Sequence, residues 1–182
     1  LEGVQLPALT SLCSYDSLYD DEVALFAGFT TLTSLRGTDD PSSRITDDGN
    51  LQTLSALTNL TELPVVVLNQ LQPLAVFTKL KSLCVQIRSD DQHSWQQLFD
   101  PLLQLPNLTN LTMWTPRNSG PGMFSSLPPS LVSLKYDLPH GDGGSVLEAL
   151  GELISLNALR SLRLAVKAND VNAVRLRLLA LL

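Results

Sequence analysis

Residues 105–114 read LPNLTNLTMW, and residues 57–66 read LTNLTELPVV. In both stretches leucines recur three residues apart and give way to letters of high strand propensity. Taken alone, a spacing of three suits one face of a helix. The asparagines offer a second reading: Asn59-Leu60-Thr61, Asn107-Leu108-Thr109 and Asn110-Leu111-Thr112 all fit the N-glycosylation acceptor pattern. Further copies along the chain decide between them.

The triplet recurs as Leu6-Leu9-Leu12, Phe29-Leu32-Leu35, Leu57-Leu60-Leu63, Phe77-Leu80-Leu83, Leu105-Leu108-Leu111 and Leu156-Leu159-Leu162. A degenerate copy, LPPSLVSL at 127–134, supplies Leu127, Leu131 and Leu134. The third members stand at 12, 35, 63, 83, 111, 134 and 162, separated by 23, 28, 20, 28, 23 and 28 residues. Seven copies make the chain a repeat array. Several are followed by VVV, CVQI or TMW, so the triplets lead into strands and not into another helical turn. The sequons then arise from the repeat's own wording, in which the turn before each strand favours Asn and Thr.

This L-x-x-L wording at a period of 20–28 resembles the leucine-rich repeat over essentially the whole chain. The resemblance implies an α/β solenoid, a horseshoe arc of about seven repeats forming one domain over residues 1–182. Parallel strands would line its concave face, with helices and irregular loops on the convex face. Each strand would begin at the third leucine, with the next inward position two residues later: Ser14, Gly37, Val65, Val85, Met113, Tyr136 and Leu164. One repeat cannot bury its leucines alone, so stacking neighbours supply the core. The alternation of short and long units is similar to the ribonuclease-inhibitor-like class. One departure stands out. The asparagine expected three residues after each strand's second leucine is replaced by Ser17, Asp40, Leu68, Arg88, Pro116, Pro139 and Lys167, so no asparagine ladder forms there.

The connectors divide by pattern. Helices are expected over Asn50-LQTLSAL, at Trp95-Leu98-Phe99-Leu102, and at Val146-Leu147-Leu150-Leu153-Ile154 behind Ser145 as N-cap. DDEVALFAG at 20–28 reads as a short helix with acids in its first turn and Gly28 just past its end. PRNSGPGMFSS at 116–126 holds too much Pro and Gly for a helix.

The chain is 44% hydrophobic, 5% aromatic and 16% charged, so its core must be mostly leucine and other aliphatic residues. Its net charge of −6 is uneven: residues 1–100 carry −8 and residues 101–182 carry +2. That balance argues against a general nucleic-acid binder. The basic C-terminal end (Arg160, Arg163, Lys167, Arg175, Arg177) leaves a weak option for RNA or an acidic partner. No apolar run is long enough to span a membrane, and no targeting segment is read. Cys13 and Cys84 make neither a disulfide framework nor a zinc site, and low cysteine use favours a reducing, intracellular compartment.

Strand alternation places three columns of side chains on the concave face. The first is Ser11, Ser34, Glu62, Ser82, Asn110, Ser133 and Ser161; the second is Cys13, Arg36, Pro64, Cys84, Thr112, Lys135 and Arg163. The third is Tyr15, Thr38, Val66, Gln86, Trp114, Asp137 and Ala165. Trp114 with Gln86, Asp137, Lys135 and Arg163 around it has the anchor-and-polar-rim composition of a binding hot spot. Arg36, Tyr15 and Thr112 extend the candidate partner-binding face. The competing reading packs Trp114 over the strand end against the 115–126 loop.

His93 and His140 have no converging partners that would make a metal or catalytic site, HGDGGS at 140–145 lacks the lysine of a phosphate loop, and no cofactor is implied. The expectation is therefore a non-catalytic scaffold that binds a protein partner, as an accessory subunit of a larger assembly. Alternatives are the substrate-recognition module of a ubiquitin ligase, a secreted or cell-surface ectodomain, and a hydrolase using His140 and Asp137. Residues 1–12 begin inside the repeat pattern, and a helix capped by Asp170 through Leu182 ends on letters that usually lead into another repeat. A piece of a longer array, or one capped by partner subunits, is expected from that.

Overall fold

The leucines three apart are joined by hydrogen bonds three apart. Leu57 donates its N–H to the Leu54 carbonyl at 2.8 Å, and Leu60 donates to Leu57 at 3.0 Å. The same relay runs from Leu80 to Phe77 to Leu74 to Leu71, and from Leu108 to Leu105 to Leu102. In 3₁₀ geometry side chains at i and i+3 eclipse, so these leucines form one inward column. The relay is a series of single turns, because the backbone opens at Leu57, Phe77 and Leu105, where ψ is 54°, 57° and 80°. Each column runs further upstream than the triplet. Leu51, Leu54, Leu57, Leu60 and Leu63 are at most 2% exposed, as are Leu71 to Leu83 and Phe99 to Leu111 at the same spacing.

The computed structural model describes residues 8–13, 20–36, 48–68, 71–87, 98–114, 122–137 and 151–165. Seven strands form one parallel sheet in chain order: β1 (Ser11–Cys13), β2 (Ser34–Arg36), β3 (Glu62–Leu68), β4 (Ser82–Ile87), β5 (Asn110–Trp114), β6 (Ser133–Asp137) and β7 (Ser161–Ala165). The third leucines set the register: Leu12 faces Leu35, Leu63 faces Leu83, and Leu83, Leu111, Leu134 and Leu162 follow in line. This is a leucine-rich-repeat solenoid, an open arc of seven parallel strands. Val85, Met113 and Tyr136 are buried at the expected inward positions, and Leu164 is half-buried.

Among the described residues one inward position differs from expectation; Ser14 and Gly37 lie outside them. The register shifts between Leu63 and Val66, so Val66 pairs with Val85 and is fully buried where Val65 was expected. Pro64 has no N–H to give the ladder, and a bulge of one extra residue absorbs that loss. Val67, not Val66, therefore holds the register position beside Gln86.

The connectors mix α-helix with tighter turns. Helix α1 (Asp20–Phe26) forms as its acids and Gly28 suggest. Helix α2 (Asp48–Thr53) passes into a 3₁₀ turn, Leu54–Ala56. The other expected helices are mostly not α in their described parts: Leu98 and Phe99 are helical, but Asp100–Gln104 and Gly151–Ser155 are 3₁₀ turns. A core period of three and not 3.6 accounts for this. Trp95 and the stretch 145–150 lie outside the described residues, as do six of the seven positions where asparagine was expected; Leu68 lies on β3.

Side chains stitch the repeats together ahead of the strands. Asn59 Nδ2 donates to the Thr30 carbonyl at 3.0 Å and Asn107 Nδ2 to the Thr78 carbonyl at 2.9 Å. Thr33, Thr61 and Thr109 each donate a hydroxyl to a carbonyl of the preceding repeat, and Lys79 Nζ donates to Asn59 Oδ1. An asparagine and threonine ladder therefore exists ahead of the strands.

The degenerate repeat uses a different device. Residues 122–126 are turns, with Gly122 at φ 90°. Glu152, one repeat later, accepts the N–H groups of Gly122, Phe124 and Ser125, the last two at 3.0 and 3.1 Å. A segment unable to make a helix thus has its backbone donors satisfied by a carboxylate. Phe124 then stacks edge-on against Tyr136, ring centres 5.4 Å apart.

Candidate functional site

The outward face of the sheet carries the side chains that alternate with the buried leucines. Pairing puts Cys84, Thr112, Lys135 and Arg163 side by side in one column. In the next column Trp114 lies between Gln86 and Asp137. Cys84 aside, these are six of the eight candidate residues, on four consecutive strands with Trp114 and Thr112 central; Arg36 stands apart on β2. Tyr15 lies outside the described residues.

Trp114 is half-buried, and Lys135 Nζ sits 6.0 Å from its ring centre, a cation–π contact that holds the ammonium over the indole. Gln86 Oε1 and Asp137 Oδ1, flanking the indole, are buried without a hydrogen-bond partner among the described residues. Buried acceptors without donors cost free energy, and this row carries two of them. The small polar residues Asn110, Ser133 and Ser161 run alongside and leave the approach open.

The other end of the face is closed by its own contacts. Glu62 accepts two hydrogen bonds from Arg36, at 2.7 and 3.2 Å, and one from the Ser34 hydroxyl at 2.8 Å. The Arg36 hydrogen bonds, then the one from Ser34, hold the Glu62 carboxyl below the usual glutamate range, and the paired carboxylate raises the Arg36 guanidinium. Beneath them Ser34 is only 8% exposed although it points to the outward face. The column assignment placed Arg36 and Glu62 on neighbouring strands without pairing them. Their fork geometry is the signal: an Arg two residues past a strand's first position reaches a Glu at the first position of the next strand.

Cys13 and Cys84 are both thiols. His93 and His140 lie outside the described residues. Among the described residues no group of three or more His, Cys, Asp or Glu is placed to hold a metal ion, and no helix is long and apolar enough to cross a membrane.

No protein-family model and no curated protein sequence matches the chain. Among solved structures, internalin C2 of Listeria monocytogenes is similar, with a TM-score of 0.55 over 93% of this chain and 69% of that one, at 17% identity. The likeness is one of fold: both chains carry the leucine-rich-repeat architecture.

Proposed function

We propose that the chain is a non-catalytic scaffold that binds a protein partner on the concave face of its sheet. The observation that carries this reading is Trp114, a half-buried aromatic on a mostly polar face, flanked by two buried acceptors that no described residue satisfies. Binding hot spots have this make-up, an aromatic anchor within polar groups that become desolvated on contact. The scaffold acts inside the cell as an accessory subunit of a larger assembly. The low cysteine content and the alternating unit lengths, similar to the irregular ribonuclease-inhibitor-like type, favour that over an ectodomain. Asn59 and Asn107 use their side-chain amides to stitch repeats together, which removes much of the sequons' support for a secreted protein.

The test is affinity purification of native-source complexes on wild-type chain and on Trp114→Ala, with mass spectrometry of what is retained. A partner held by the wild type and lost from a variant of unchanged melting temperature supports the reading. A partner retained equally by both moves Trp114 into a packing role.

A further inference from the structure

Lys135 and Arg163 stand directly opposite each other on β6 and β7, and both are exposed. Among the described residues neither has an ion-pair partner. Like charges facing across a strand pair destabilise a sheet. Elsewhere on the same face the chain cancels its charge, as Arg36 does against Glu62. A protein of net charge −6 thus keeps two cations side by side with no ion-pair partner among the described residues, one of them over Trp114.

We propose that the β5–β7 part of the face docks an acidic segment of the partner, with carboxylates on Lys135 and Arg163 and an apolar side chain on Trp114. This rests on the reading of the concave face as the binding surface. Neighbouring strands lie roughly 4.8 Å apart, and same-side residues of an extended segment are roughly 6.6 Å apart, a span the two long basic side chains cover. The Arg163 guanidinium offers a carboxylate a two-pronged match, while the Lys135 ammonium acts as a point charge. Ser133 and Ser161, directly beside them in the first column, are small enough to let a backbone approach. A nucleic acid fits less well. Its affinity grows with the number of phosphates neutralised, and here Lys135 and Arg163 share the face with the Asp137 carboxylate, while Arg36 is already paired with Glu62.

The test is selection of a random-peptide library on the wild-type chain, followed by affinity measurement of the enriched consensus peptide. The wild type should enrich Asp and Glu, and affinity should fall with rising salt. Lys135→Glu with Arg163→Glu should weaken the peptide by at least about tenfold. The milder pair Lys135→Gln and Arg163→Gln should weaken it too, and serves as the readout if the reversal does not fold. Absence of enrichment, enrichment of neutral or basic peptides, or affinity indifferent to both charge variants overturns the proposal. If neutral peptides are enriched and Trp114→Ala abolishes their binding, the acidic partner is wrong while the concave-face reading stands. If no variant on the face matters, both fall. A single-stranded oligonucleotide that outcompetes the acidic consensus overturns it in favour of phosphate recognition.

Discussion

Leu111 and Thr112 are neighbours with opposite fates, one 2% exposed in the leucine column and the other half-buried on the outward face. Leu111→Ala empties a site walled by Leu83 and Leu134 and should cost about 2–5 kcal/mol in denaturant melts. Thr112→Ala loses little more than strand propensity and should stay within about 1 kcal/mol. Equal losses would contradict this assignment of the strand's two faces. The three sequon asparagines also separate at this scale. Asn107 donates to a carbonyl one repeat away, whereas among the described residues Asn110 reaches its neighbour Thr109, at 3.2 Å. Asn107→Asp replaces that donor with an acceptor facing the Thr78 carbonyl, and should destabilise by about 1–2 kcal/mol more than Asn110→Asp. Indistinguishable melting of the two variants would remove the ladder from the stability of the array.

Elements in this chain are held by contacts between repeats more than by local propensity. The segment 122–126 has neither helix nor strand pattern, and Glu152 organises it by accepting three backbone N–H groups. Glu152→Ala should cost about 2 kcal/mol or more and speed hydrogen exchange at Phe124 and Ser125. Unchanged exchange there would show that the segment orders itself. Strands β2 and β3 are joined at their start by the Arg36–Glu62–Ser34 cluster. Because the Glu62 carboxyl titrates lower in the folded chain than its ordinary value, its contribution is present in full above that ordinary value. It is lost as pH falls through the lowered value. The contribution is small, since the two side chains are 37% and 64% exposed. Glu62→Gln should therefore flatten the acid limb of the stability profile slightly; a steeper limb in the variant would reverse the sign.

At the scale of the whole molecule, the array was legible because its signal is periodic. Leucines at 12, 35, 63, 83, 111, 134 and 162 announce seven strands, and pairing joins them in that order. The Trp114 row followed from the same alternation, since Gln86, Trp114 and Asp137 share one offset from their leucines. What escaped was aperiodic or belonged to pairs. The bulge at Pro64 breaks the alternation in one strand, and strand counting carries straight through it. Glu152 reaches residues 27 to 30 positions away, a link that no local pattern encodes. The 3₁₀ relay was visible in principle, because the spacing of three continues from Leu63 back to Leu51. An α-helical reading of Asn50-LQTLSAL misses it, because its period is 3.6 and not 3.

On the proposed reading, the sheet face around Trp114, and not the convex turns, meets the partner. Ile154 is the natural control: it is 65% exposed on the turn Gly151–Ser155, outside the sheet. Partner affinity should be measured by calorimetry for the wild type, Trp114→Ala and Ile154→Ala, with the melting temperature of each. Trp114→Ala should weaken binding by about 2 kcal/mol or more with little change in melting, while Ile154→Ala should bind like the wild type. Binding lost in Ile154→Ala and kept in Trp114→Ala would contradict that reading.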